Sequence, residues 1–112
     1  MALKNVSDKT IEKSLNVDFG KMPPQAVEIE EAVLGALMLE KDAVIAVIDI
    51  LKIDAFYKEA HSKIFKVIVD LSTRDQAIDI LTVTEELRKR NELDEVGGPF
   101  YITQLTSRVA SA

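Results

Sequence analysis

The stretch Ile29–Leu39, IEEAVLGALML, constrains this chain more than any other. An amphipathic surface helix shows one apolar stripe backed by polar residues. Here Ala32, Val33, Ala36, Leu37 and Leu39 are joined by Val27, Ile29, Leu34 and Met38, and only Glu30 and Glu31 are charged. So broad an apolar face predicts the central helix of a small bundle, or a helix that also meets a partner chain. Gly35 sits in its middle. In an exposed helix glycine costs about 1 kcal/mol against alanine, so its presence points to close approach by a neighbouring backbone.

The segments around this helix follow a consistent helical pattern. Residues 1–22 read as a polar tail whose few apolar residues form no wide face, and Met22-Pro23-Pro24 ends any preceding helix and opens the domain. The first helix is expected from about Gln25 to Leu39. Glu40-Lys41 is a polar break, and Asp42 is a suitable cap for a second helix from Ala43 to Leu51. Its β-branched residues would also permit a strand, but strict alternation is missing and Asp49 interrupts the apolar run. Asp54 is expected to cap a turn through Ala55-Phe56-Tyr57.

A third helix, Glu59–Leu71, places Ala60, Ile64, Val67, Ile68 and Leu71 at the helical period, widened by Phe65. After the polar loop 72–76, Thr82 and Glu85 have the spacing of a capping box, with Asp79 as a competing cap. That helix should bury Leu87 with either Leu81 or Val83 and end at Arg90, where Asn91 can take a left-handed closing position. Gly97-Gly98 predicts a turn, and Pro99 suits the start of a last helix carrying Tyr101, Ile102, Leu105 and Val109. The expectation is an all-α fold, a small orthogonal bundle of about five helices with some single turns. Its core should comprise Val33, Leu34, Leu37, Phe56, Ile64, Phe65, Ile68 and Leu87.

Composition narrows the chemistry. Cysteine is absent, which removes disulfides and thiolate sites and makes an intracellular protein the default expectation. The longest nearly apolar runs are too short to span a bilayer. Nineteen acidic and fourteen basic residues give a net charge of -5, which does not attract phosphate backbones. Arg88-Lys89-Arg90 is the one basic run and reads as a solvated helix end. His61 is the only histidine, with no E-x-x-H pairing, and reads as a half-buried residue bonded to a carboxylate or carbonyl. Tyr57, four residues earlier, is a candidate to stack or bond with it. Glu28, Glu31, Glu85 and Glu86 should point to water, so no shielded acid–base pair is expected. Gly97-Gly98 is not a phosphate loop, and no catalytic, cofactor-binding or metal residues are expected. A helix-turn-helix spanning Arg90 and Pro99 would have few base-reading side chains, Gln104 and Arg108 among them.

Taken in order, Glu31–Met38, Phe56-Tyr57 with His61 and Ile64-Phe65, Ile78-Asp79 with Thr82 and Leu87, and Leu93 with Val96-Gly97-Gly98 and Tyr101 resemble the N-terminal domain of the replicative DNA helicase, the DnaB family. The resemblance covers about residues 23–112; Asn91 stands where the family commonly has glycine, and the tail 1–22 matches nothing in it. It implies a non-catalytic assembly and partner-recruitment domain of a hexameric, cytoplasmic helicase that unwinds duplex DNA at the replication fork. ATP and Mg would belong to a separate motor domain. Partners implied are other copies of the chain, paired within the ring, and primase and a helicase loader, with no tight DNA contact and no membrane. On this reading residues 23–98 form a globular head and 99–112 begin a helical hairpin that the chain cuts short. Tyr101, Ile102, Leu105 and Val109 then become candidate interface residues. Two other classes stay open: an unrelated acidic all-α adaptor, and a small DNA-binding module whose binding would weaken steeply with salt.

Overall fold

The computed structural model describes residues 24–110. The elements are α1 Pro24–Leu39, α2 Lys41–Val47, a 3-10 turn Ile53–Ala55, α3 Glu59–Thr73, α4 Ile80–Lys89 and α5 Gly98–Ala110. The fold is all-α, with no strand among the described residues. The tail 1–22 lies outside them.

Helix α1 packs against α5, α3 and α2, which accounts for its apolar residues on several sides. α3 in turn meets α4, α2 and the 3-10 turn, and α4 closes against α5. Leu34 from α1, Ile64, Val67 and Ile68 from α3, Val83 and Leu87 from α4, and Ile102 and Leu105 from α5 are fully buried where these helices meet. Leu37, Phe65 and Phe56 join the same core, while Val33 is only half-buried at its edge.

Three local details differ from the sequence reading. α2 starts at Lys41 with Glu40 at its cap, no side chain caps it, and Asp42 falls in the first turn. It also ends at Val47 rather than Leu51, although Ile48 and Leu51 still donate backbone bonds to Val44 and Val47. Val44 is buried and Val47, Ile48 and Leu51 rest on the core, while Ile45 and Ile50 project outward, so packing holds only one side of this β-branched segment. At α4 the cap is Asp79: its carboxylate accepts from the Thr82 N–H at 2.9 Å, and the Thr82 hydroxyl accepts from the Asp79 N–H at 3.0 Å. Thr82 is thus the third residue of the helix, not its cap, and Glu85 pairs with Arg88 instead of closing a box. Val83 and Leu87 face inward from this helix, and Leu81 is exposed.

Asn91 closes α4 with φ 60°, and the Glu92 N–H returns to the Leu87 carbonyl at 2.9 Å. This is the left-handed termination that asparagine tolerates. Gly97 and Gly98 follow with φ 116° and 79°, values closed to most side chains. The Gly98 N–H bonds to the Leu93 carbonyl at 2.9 Å, so the turn is hydrogen-bonded and sets the start of α5.

An ion network ties α3 to α4. Arg90 reaches Asp70 at 2.8 Å and Glu86 at 3.0 Å, and Arg74 reaches Glu86 at 3.3 Å. The Arg90 hydrogen bond, aided by Arg74, holds the Glu86 carboxyl below the usual carboxylate range against a smaller opposing effect of burial. A carboxyl held low in the folded state contributes stability above its ordinary titration range, and that contribution is lost as pH falls through the folded value. Glu86→Gln is therefore expected to lower the urea midpoint at neutral pH and to converge on the parent chain in strong acid. Equal gaps between the two proteins at both pH values would remove Glu86 from the acid response.

Candidate functional site

The seam between α1 and α5 has a close backbone approach and a cross-helix chain of polar side chains. Gly35 faces the Leu105 carbonyl, and a Cβ built there would lie 2.1 Å from that oxygen and 2.8 Å from Val109 Cγ2. Glycine permits a backbone-to-backbone approach here that no larger residue allows. The close neighbour implied by Gly35 is thus α5.

Beside this packing a chain of polar side chains crosses three helices. The His61 ring on α3 is wholly buried. Its Nδ1 lies 2.8 Å from Glu30 Oε1 on α1, and its Nε2 lies 2.6 Å from the Tyr101 hydroxyl on α5. Tyr101 donates to Glu31 Oε2 at 2.8 Å, and Arg108 Nη1 reaches Glu31 Oε1 at 2.9 Å. Backbone N–H groups of Tyr57 and Lys58 also donate to the Glu30 carboxylate, which anchors the entry to α3 on α1. The His61 and Tyr101 rings are parallel, 6.0 Å apart, and Phe56 meets the imidazole edge-on. Lys58 Nζ lies 5.1 Å from the centre of the Tyr101 ring, a cation–π distance. Burial, then the hydrogen bond to Glu31, raises the Tyr101 phenol well above its ordinary titration range, so the hydroxyl keeps its proton.

The residues singled out from sequence fall unevenly around this seam. Ile102 and Leu105 are fully buried against the head, so they are part of its core and not a free surface. Tyr101 is half-buried with its hydroxyl committed to the polar chain, and Val109 lines an open groove with Glu28, Ala32, Ala36 and Arg108. Glu31, expected in water, is buried, and Glu86 is largely so. His61 is buried more deeply than expected, and the aromatic groups beside it are Phe56 and Tyr101. Thr82, Asn91, Gly97, Gly98 and Pro99 all lie in or next to the helix ends, away from the seam's carboxylates.

The exposed apolar residues are the other candidate feature. Phe100 at the start of α5 is 73% exposed, and Ile29 on α1 is 61% exposed. Ile29 borders a shallow apolar hollow formed with Val33, Leu51, Ala55 and Phe56. No group of histidine and carboxylate side chains among the described residues could hold a metal ion, and no described helix is long and apolar enough to cross a membrane. The seam's titratable groups bond to one another across three helices, and Glu30 and Arg108 also border the hollow and the open groove beside it.

Comparison with known proteins accords with this arrangement. Residues 22–112 match the family model of the DnaB-like helicase N terminal domain. The chain is 48% identical over 99 residues to the replicative DNA helicase DnaB of Rhodothermus marinus, covering 88% of this chain and 10% of that protein. Against the replicative DNA helicase DnaB of Treponema pallidum it is 44% identical over 93 residues, covering 83% of this chain and 21% of the relative. The crystal structure of the N-terminal domain of DnaB helicase from Mycobacterium tuberculosis superposes with a TM-score of 0.72 at 38% identity, covering 77% of this chain and 60% of that one. The chain therefore spans a small part of the helicases it matches. With the family model matched across every described helix, this chain belongs to the DnaB-like helicase N-terminal domain family.

Proposed function

We propose that this chain is the assembly and partner-recruitment head of a hexameric, cytoplasmic replicative helicase, and that it takes no part in ATP chemistry itself. The family match over residues 22–112, with relatives that are replicative DNA helicases, is the observation that carries this reading. ATP and Mg belong to a motor elsewhere in a longer protein, which unwinds DNA at the fork. The head occupies residues 23–98, and α5 is the beginning of a helical hairpin through which paired subunits, primase and a loader are engaged. The acidic balance, -5 overall, fits protein partners better than direct DNA contact.

On this reading Phe100 and the groove along Ala32, Ala36 and Val109 are available to neighbouring chains, whereas Ile102 and Leu105 hold α5 to its own head. Association of the isolated head is weak. Covering about 300 Å2 of apolar surface favours pairing by roughly 7 kcal/mol, and lost translational and rotational freedom opposes it by about 4–15 kcal/mol. Sedimentation equilibrium is expected to find a monomer or a weak, reversible dimer. Adding a C-terminal extension that completes the hairpin should bring tight pairing and primase binding. An extended chain that stays monomeric and ignores primase would overturn the assembly reading, and tight DNA binding by the head would support a DNA-binding module in its place.

A further inference from the structure

We infer that Glu30, His61, Tyr101, Glu31 and Arg108 form a protonation-dependent brace that fixes how α5 sits on α1, with a doubly protonated His61 as its central cation. The geometry allows a count of hydrogens. Tyr101 has one hydroxyl hydrogen, and it is used in the bond to Glu31 Oε2. Its oxygen can then only accept from His61, so Nε2 carries a hydrogen. The Glu30 carboxylate already accepts from two backbone N–H groups and is an acceptor toward Nδ1, so that nitrogen carries one as well. Three bonds need three hydrogens, and only an imidazolium supplies two of them.

The charges close in the same way. Glu30 and Glu31 from α1 face the imidazolium of α3 and the Arg108 guanidinium of α5, two negative groups against two positive. Lys58, before α3, adds a cation over the Tyr101 ring, and Phe56 closes the remaining edge. Glu59 on the same helix as His61 is directed to Lys63 and is almost fully exposed, so it does not share the cluster. His61 itself is wholly buried, and a buried cation is tolerated only with its hydrogen bonds and counter-charges in place.

Removing one proton rearranges the chain of bonds. A neutral His61 that keeps Nδ1–H toward Glu30 presents a lone pair at Nε2. The Tyr101 hydrogen turns to it, and the phenol oxygen and Glu31 Oε2 are left as two acceptors face to face. Three bonds become two across the helices, and the cluster gains a net negative charge. The bond that breaks is Tyr101 to Glu31, which joins α5 to α1. The inference concerns the folding of this chain and stands apart from the assembly reading.

Because His61 is the only histidine, long-range 1H–15N correlation spectra read its ring without overlap. Both nitrogens are expected to carry hydrogens in the folded chain, and Nε2 to lose its own when added base removes the ring proton. Over that step, amide exchange in α5, corrected for intrinsic base catalysis, should quicken by about five- to tenfold relative to α4. Tyr101→Phe keeps the ring and removes the hydroxyl, and should abolish the α5 response. A single neutral tautomer at neutral pH would overturn the inference. So would a ring titration that leaves α5 in step with α4, or a Y101F protein with the parent's response.

Discussion

Phe65→Ala is expected to lower the unfolding free energy by about 3–5 kcal/mol, the cost of removing a buried aromatic ring and leaving a cavity. Phe65 is 2% exposed, lies on α3 between the helices it touches, and packs against the Phe56 ring at 5.2 Å between centres. Rigid helix backbones surround the site, so collapse around the smaller side chain cannot restore much of the packing. Domains of this size are stable by about 5–15 kcal/mol in total, which makes this a large fraction. Urea unfolding followed by helical circular dichroism reads the change as a lower midpoint. Leu81→Ala supplies the comparison, because Leu81 is 69% exposed on α4 and its truncation should move stability by no more than about 0.5 kcal/mol. An F65A midpoint equal to that of L81A would show that α3 is not the core helix described above.

The same contrast shows what the sequence made legible. Apolar periodicity placed α3 and its buried side, because each such residue needs only neighbours three and four positions away to reveal its face. The breadth of apolar residues on α1 likewise revealed a helix covered from several directions, and Gly35 pointed to a close backbone. Which backbone was not readable, since Leu105 lies far along the chain and pairings of that kind leave no local periodicity. α4 began three residues early for a related reason. Thr82 can cap a helix or serve as the third residue of one capped by Asp79, and the reciprocal Asp79–Thr82 hydrogen bonds belong to the second arrangement.

The polar brace was hidden most completely. Glu30, Tyr101 and Glu31 reach their partners across separations of 31, 40 and 70 residues. Nothing in a single chain's local pattern records such pairings. One signal did exist: two adjacent glutamates at the centre of a helix apolar on nearly every side. A carboxylate in that setting demands a buried partner, and the only histidine together with a tyrosine on the last helix were available to provide one. An expectation of Glu31 in water fails because α1 is covered by α2, α3 and α5 on several sides.

Gly35→Ala is expected to destabilise the chain by about 1–3 kcal/mol, opposite in sign to the usual effect of this change in a helix. At an exposed helical position alanine would gain about 1 kcal/mol through helix propensity. Here the added Cβ would meet the Leu105 carbonyl oxygen at 2.1 Å and its carbon at 2.8 Å. Those are backbone atoms, so no rotamer change relieves the clash, and α5 must move away from α1 as a body. That displacement would also stretch the Tyr101–Glu31 and Arg108–Glu31 bonds, which depend on the same helix separation. The loss of stability should therefore appear first in α5, as faster amide exchange there than in α3 and α4, together with a lower melting temperature. A G35A chain that melts higher than the parent would mean that propensity outweighs the clash, and that α5 does not rest on Gly35 in solution.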